Sequence, residues 1–195
     1  MDYTLKGLGL LGVALVSGFV WFLTHNEAPV TTQNSNQSTQ HAGKYSFTQF
    51  EAASVVGDCA DHATGEVQTY LQSHPCLSLT RSLWTTALSD NDKVLVSVEV
   101  VKMPSAAEAA QLDKIGEASS SGHVLDQVEE GYPVPDGPKG VQDGGYKSSA
   151  QGQYEVIATA EYYTGSEDVG LAHQPAAKNA LYPVCQDALN QKIGR

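Results

Sequence analysis

The feature that most limits how this chain can fold is one uninterrupted run of uncharged residues near the N-terminus. Residues 7–23, GLGLLGVALVSGFVWFL, contain no charged side chain. As a helix with a rise of about 1.5 Å per residue, this run would be about 25 Å long, close to the hydrocarbon thickness of a bilayer. Lys6 can snorkel towards one interface, and Trp21 is of a type enriched at the other. The pattern predicts a transmembrane signal anchor over residues 1–24.

A cleavable signal peptide is the main alternative to this anchor, because such peptides also place a positive charge before an apolar run. The run here is longer than a usual signal-peptide core, and no convincing small-residue cleavage site follows it. We therefore expect the segment to be retained as a single span. Lys6 precedes the span and Glu27 follows it, so the positive-inside rule places the N-terminus in the cytoplasm and the rest of the chain outside.

Three small residues of the predicted anchor share one helix face. Gly7, Ala14 and Gly18 are spaced by seven and four residues, which would let a second transmembrane helix approach closely. The spacing predicts a helix-packing face and, with it, other membrane proteins as partners. Incidental occurrence is the alternative, because glycine is common in membrane helices.

The chain changes character after the anchor. Residues 25–44 are rich in amides and hydroxyls without an apolar period, so they predict a flexible polar linker. Residues 45–195 are roughly 150 in number, which is the size of one ordinary domain. We expect this region to be the extracytoplasmic domain.

Periodicity within the domain predicts alternating helices and hairpins. A β-hairpin is expected where Val94, Val96, Val98 and Val100 alternate with other residues, after a turn cluster at residues 89–92. The predicted segments are a short strand at 46–50, a helix from 61 or 64 to 71, strands at 77–88 and 94–103, a helix at 106–118, strands at 146–151 and 154–163, and a helix at 176–193 containing Pro183. This order predicts an α+β domain with an antiparallel sheet and helices mainly on one face, in a ferredoxin-like arrangement.

The charge balance narrows the choice of partners. The chain has 22 acidic and 11 basic residues, a formal net charge of -11. Such a domain repels phosphate backbones and anionic headgroups, which argues against nucleic acid as a partner and against a domain that lies flat on lipid. A basic partner would be attracted instead.

The three cysteines predict one disulfide. Cys59 and Cys76 flank the first predicted helix, and in an oxidising compartment two such cysteines usually pair. Two alternatives remain open from the residues. In the first, Cys185 replaces one of the two; in the second, Cys59 with His62 and His74 with Cys76 bind zinc, although their spacing matches no usual zinc finger.

Motifs for catalysis are not found in the sequence. There is no G-x-S-x-G elbow, and the acidic residues Glu129, Glu130, Asp136 and Asp143 lie around a glycine-rich segment without the register of a calcium loop. We therefore predict no catalytic residue, no cofactor and no metal site. Residues 131–145, GYPVPDGPKGVQDGG, predict a long irregular loop of the kind that is either functional or disordered.

Arg81 is one of only two arginines in the chain. A guanidinium can bind an anion with two parallel hydrogen bonds, so Arg81 is a possible anion contact. The alternative is a salt bridge with a carboxylate of this acidic domain.

A string of residues in the first half of the domain resembles a known group of proteins. It comprises Asp58-Cys59, His62, Tyr70-Leu71, His74-Pro75-Cys76, Leu79-Thr80-Arg81-Ser82-Leu83, a valine-rich strand and Met103-Pro104. The string is similar to uncharacterised signal-anchored cell-envelope proteins of actinobacteria and covers residues 58–110 of the chain. That family has no known activity, so the resemblance implies no catalytic residue.

The sequence thus favours a non-catalytic, membrane-anchored accessory or binding subunit of a cell-envelope complex. Small anchored proteins of this build look like accessory subunits of actinobacterial membrane complexes, such as the respiratory cytochrome bcc-aa3 supercomplex. One alternative is an anchored sensor or ligand-binding domain that uses the loop at residues 131–145 as a lid. Another is a metal-dependent envelope enzyme.

Overall fold

The structure is a computed structural model, and it describes residues 39–40, 43–88, 92–118, 121–163 and 175–192. The predicted anchor at residues 1–24, with Gly7, Ala14 and Gly18, lies outside the described residues, as does most of the predicted linker. Within the described ranges, no helix combines the length and the apolar character that crossing a bilayer requires.

The described residues form six strands, three α-helices and one short 3-10 helix. In chain order these are β1 (Thr39–Gln40), β2 (Phe47–Val56), the 3-10 helix (Ala60–His62), α1 (Gly65–Ser73), β3 (Ser78–Ala87), β4 (Lys93–Lys102), α2 (Ala106–Glu117), β5 (Gly145–Gln151), β6 (Tyr154–Tyr162) and α3 (Pro175–Gln191). The predicted α+β class is confirmed, and Pro183 lies inside α3 as expected.

Local sequence signals explain where the helices begin and end. Ser105 is the N-cap of α2: its hydroxyl oxygen accepts a hydrogen bond from the backbone N–H of Glu108 at 3.2 Å and donates one to the Glu108 carboxylate at 2.7 Å. The N-cap of α1 is Thr64, and its C-cap is His74, which precedes a proline. The ends of both helices therefore follow from a few neighbouring residues.

All strand pairs of the sheet are antiparallel, in the order β1-β2-β3-β4-β6-β5. The ferredoxin-like arrangement is wrong. That fold has two split β-α-β units, in which a helix joins parallel strands that another strand separates. Here only α2 makes such a connection, because β6 lies between β4 and β5, whereas α1 joins the direct antiparallel neighbours β2 and β3, with Val56 opposite Leu79.

Helices cover both faces of this sheet. The even-numbered side chains of β4, Val94 to Val100, pack with Trp84 and with the Leu181, Val184 and Leu189 side chains of α3. The odd-numbered face packs against α1 and α2 through Leu79, Val101 and Ile157. Two of the three helices thus share one face, and the third closes the other.

Residues 121–144, which we call the strap, contain no regular helix or strand and cross the odd-numbered face beside α1 and α2. The long irregular loop predicted for residues 131–145 is confirmed up to Gly144, since Gly145 begins β5. The strap is fixed near its start by an isolated β-bridge between Ala63 and Val124 and by a hydrogen bond from the Thr64 N–H to the His123 carbonyl at 2.9 Å. Gly122 has a φ of +89°, and a Cβ there would overlap the Thr64 carbonyl.

The end of the strap is equally close to the sheet. At Gly144 a Cβ would overlap the carbonyl oxygen of Ala160 on β6, so only glycine fits that approach. Between its ends, the strap places Val128 and Val141 on Leu83 and Leu95 in a small apolar cluster. Both ends of the strap are therefore held against the body of the domain.

Candidate functional site

A cluster of ionisable groups, of which Arg81, Glu99 and Asp126 are buried, lies between the strap and the odd-numbered face of the sheet. Alternation of side chains along β3 and β4 turns Arg81 and Glu99 towards this face, where they meet residues of the 3-10 helix and the strap. We call this set the acid–histidine cluster, and its members are His62, Arg81, Glu99, His123, Asp126, Glu129 and Glu130.

Glu130 of the strap is held by a guanidinium and an imidazole from the body of the domain. Arg81 donates from Nη1 to Glu130 Oε2 at 2.5 Å and to the carbonyl of Leu125 at 3.4 Å. His62 donates from Nδ1 to Glu130 Oε1 at 2.5 Å. Burial alone would raise the pKa of Glu130, but the hydrogen bonds and charges of His62 and Arg81 outweigh it and lower that pKa. Glu130 therefore ties the strap to β3 and to the 3-10 helix.

A second acid–histidine pair lies within the strap itself. His123 Nε2 lies 3.1 Å and 3.2 Å from the two carboxylate oxygens of Glu129. The hydrogen bond to Glu129 raises the pKa of His123 in spite of partial burial. For Glu129, burial acts to raise the pKa, and the contact with His123 reverses this so that the pKa is lowered. The pair is therefore stabilised in its charged form.

Asp126 organises the backbone of the strap. Its Oδ1 accepts hydrogen bonds from the N–H groups of Val128 at 2.6 Å and Glu129 at 2.9 Å, and its Oδ2 accepts one from Val141 at 3.4 Å. The side chain has no exposed surface, and burial raises its pKa. One carboxylate thus holds together two parts of the strap that are distant in sequence.

Glu99 is the most deeply buried member of the acid–histidine cluster. It has no exposed surface, and its Oε1 accepts a hydrogen bond from Ser97, while Oε2 has no partner among the described residues. Burial raises the pKa of Glu99 to about 8, the bond from Ser97 opposes this, and the charge of Asp126 adds to it. Arg81 lies directly opposite Glu99 in the β3–β4 register. At neutral pH, Glu99 is mainly protonated beneath the strap.

A second buried carboxyl group lies on the same face, outside the acid–histidine cluster. Glu155 of β6 is 1% exposed and lies close to the carboxyl group of Asp113 on α2, and its Oε2 has no hydrogen-bond partner among the described residues. Asp113 also accepts hydrogen bonds from the Ser148 hydroxyl at 2.7 Å and the Ala150 N–H at 3.4 Å. Burial, followed by the charge of Asp113, raises the pKa of Glu155 to about 10. Glu155 therefore retains its proton at neutral pH.

The predicted disulfide is confirmed. Cys59 and Cys76 are bonded across a sequence separation of 17 residues, with their Cα atoms 6.1 Å apart, and Cys185 is a free, buried thiol. The alternative pairing with Cys185 is therefore wrong. The zinc alternative is wrong too, because the disulfide removes both thiolates that it needs.

The structure also places the other residues that the sequence singled out. Arg81 makes the internal salt bridge that was the alternative to an external anion, and its contact with an external anion stays a prediction. Glu129 and Glu130, considered for calcium, are bonded to histidine and arginine side chains instead, while Asp136 and Asp143 are exposed. No group of three or more potential metal ligands occurs in the part of the chain that the structure describes.

Sequence reasoning did not identify Glu99, Asp126 or Glu155 as a group. The alternation of side chains along the strands could have identified Glu99 and Glu155 as buried, because both occupy inward positions of strongly apolar strands. Their partners come from distant segments, as with His62 and Glu130, which are 68 residues apart.

The structure does not favour the hypothesis that the loop at residues 131–145 is a lid over a ligand cleft. Val141 of that loop has no exposed surface and packs on Leu83 and Leu95, with Tyr132 and Val134 packed against the same cluster. The loop therefore rests on a filled apolar cluster.

Comparisons of the chain with protein-family models, with curated proteins and with solved structures find no significant match.

Proposed function

We propose that the protein is a non-catalytic, membrane-anchored accessory subunit of a cell-envelope membrane complex. Its folded domain would lie on the extracytoplasmic side, and the respiratory cytochrome bcc-aa3 supercomplex is the candidate complex. The observation that carries the proposal is the disulfide between Cys59 and Cys76, since structural disulfides persist in oxidising, exported compartments. The apolar run at residues 7–23 supplies the tether for a domain exported in this way.

The described domain supports a structural role for its ionisable groups. Arg81 and His62 are bonded to Glu130 and hold the strap on the sheet, whereas the bond between His123 and Glu129 joins two residues of the strap itself. Charged groups used in this way fix the shape of a surface that a partner can recognise. The net charge of -11 favours a partner whose facing surface is basic.

Co-purification tests the proposal directly. The full-length chain would carry a C-terminal affinity tag and would be extracted from native membranes in a mild detergent. We expect it to elute with larger membrane proteins, in amounts that do not change over repeated washes. Recovery of the chain as a monomer alone would refute the accessory role.

Two substitutions in the anchor separate a packing face from a simple tether. Gly18→Leu adds bulk to the face that Gly7 and Ala14 share, whereas Gly9→Leu adds the same bulk about 180° away around the helix. We expect Gly18→Leu to reduce recovery of the partner and Gly9→Leu to leave it unchanged. Equal recovery with both variants would show that the small residues do not form the contact.

A further inference from the structure

Two carboxyl groups from different segments lie near Arg81. Its Nη1 donates to Glu130 of the strap, whereas its Nε has no partner, although the side chain is only 6% exposed. Glu99 lies directly opposite Arg81 on β4, and its Oε2 also has no partner. Directly opposed residues of an antiparallel pair have Cβ atoms about 4.5–5.5 Å apart, so a change of rotamer brings the two unpartnered atoms together.

We propose that Glu99 competes with Glu130 for Arg81 under the control of its own proton, so that deprotonation of Glu99 loosens the middle of the strap from the sheet. While Glu99 is neutral, the charge of Arg81 is available to Glu130, and the strap is closed. Once Glu99 is ionised, Arg81 faces a second carboxylate that lies on its own sheet. The inference concerns the domain alone and does not depend on the proposed accessory role.

The charges around Glu99 favour opening of the strap once Glu99 is ionised. The strap brings Asp126 and Glu129 close enough to act electrostatically on Glu99, and both disfavour its ionised form, while Arg81 favours it. An ionised Glu99 would therefore repel the strap from below and attract Arg81 away from Glu130. Other titratable groups near the strap are His62, His123 and Glu51 of β2, which accepts a hydrogen bond from Tyr132, while Tyr146 of β5 and Cys185 of α3 act electrostatically on Glu99.

The sign of the pH dependence follows from the protonation of the closed form. Burial under the strap raises the pKa of Glu99 to about 8, so the closed form retains a proton that an open, solvated form would release. The closed strap is therefore favoured at low pH and is lost progressively as the pH rises towards 8, with a plateau above it. Deprotonation of His123, whose pKa is raised by Glu129, acts in the same direction.

Opening of the strap would change the surface of the domain. Leu83 and Leu95 have no exposed surface in the closed form, and Val128 and Val141 of the strap cover them. Lifting the strap uncovers this apolar cluster while β3 and β4 keep their pairing with each other. A change of one proton at Glu99 is thereby converted into exposure of apolar surface.

Hydrogen exchange measured by mass spectrometry tests this inference on the full-length chain in mild detergent between pH 6.5 and 9. Protection factors, corrected for the intrinsic pH dependence of exchange, are compared for peptides from residues 121–144 and from β4. We expect protection of the strap to fall up to about 30-fold over this range through Glu99 alone, if its pKa returns to the ordinary value on opening. Protection of β4 should stay constant.

Three variants identify the side chain whose deprotonation lowers the protection of the strap. Glu99→Gln should remove the part of the fall in strap protection that Glu99 causes. His123→Gln should remove the smaller part that His123 causes. Glu155→Gln changes another buried carboxyl group on the same face and should leave the fall intact. If Glu99→Gln does not fold, Glu130→Gln serves instead, and it should lower strap protection already at pH 6.5.

Several results would overturn the inference. Strap protection that is constant or increases with pH in the unmodified chain would show that Glu99 and Glu130 share Arg81 without competition. A fall that persists in Glu99→Gln and His123→Gln together would assign it to another group. Equal loss of protection in the strap and in β4 would indicate global unfolding.

Discussion

Replacing Glu155 by glutamine should stabilise the domain at neutral pH. Glu155 is 1% exposed, and burial together with Asp113 raises its pKa to about 10. Glutamine has nearly the shape of the protonated acid, and its amide N–H can take the place of the acid O–H as a donor. It differs from glutamic acid in one decisive respect, because it cannot become charged in the unfolded chain.

The size and sign of the stabilisation by Glu155→Gln follow from the protonation of Glu155 in the folded and the unfolded chain. The unfolded chain releases this proton above the ordinary pKa of 4.5, whereas the folded chain retains it up to about 10. The free energy of unfolding of the unmodified protein therefore falls by about 1.4 kcal/mol for each pH unit between these values. At pH 7 the loss is at most about 3 kcal/mol, and Glu155→Gln should avoid it. Near pH 4.5 the two chains should be equally stable.

Urea unfolding followed by circular dichroism at pH 5, 6, 7 and 8 measures this difference. We expect the midpoint of Glu155→Gln to exceed that of the unmodified chain by an amount that grows with pH, at a constant m-value. Glu66→Gln, on the exposed surface of α1, is the matched control and should change stability by less than about 1 kcal/mol at any of these pH values. A difference for Glu155→Gln that does not vary with pH would refute the assignment of a buried, protonated acid.

Three further changes test other parts of the structure. Replacing Cys59 and Cys76 together by serine should lower the unfolding free energy by about 3 kcal/mol, because it releases a loop of this size, and adding reductant to the unmodified chain should give the same shift in urea midpoint. Ser105→Ala should cost about 1 kcal/mol in the same assay through loss of the N-cap of α2, whereas Ser105→Asp should retain most of the stability. Arg81→Met should cost about 2 kcal/mol at pH 7 because it removes the buried partner of Glu130, and unchanged stability would show that this ion pair contributes nothing.

Much of the secondary structure could be predicted because its signals are local. Alternation of Val94 to Val100 specified β4, and its register with β3 continues over all ten residues of each strand. Ser105, at the start of α2, and Pro75, after α1, each mark a helix end through neighbouring atoms. Observed and expected bounds accordingly differ by only a few residues for α1, α2, β3 and β4.

The order of the strands and the acid–histidine cluster could not be predicted because both depend on distant contacts. Whether α1 joins neighbouring or separated strands is decided by the pairing of β2 with β3, which no local pattern encodes. Arg81 and Glu130 belong to different segments, and either residue alone looks like an ordinary surface charge. The position of Glu99 within an apolar strand marked it as inward-facing, but its partners became visible only in three dimensions.

The attachment of both ends of the strap to the domain also determines how fast the strap can open and close when the pH changes. Thr64 and the close approach at Gly122 fix one end, and Gly144 fixes the other against β6. An opened strap is therefore a tethered loop of about 20 residues, and loops of roughly this size close within microseconds. Such a segment cannot be trapped open, so the fraction of open molecules would follow the pH of the surroundings without delay.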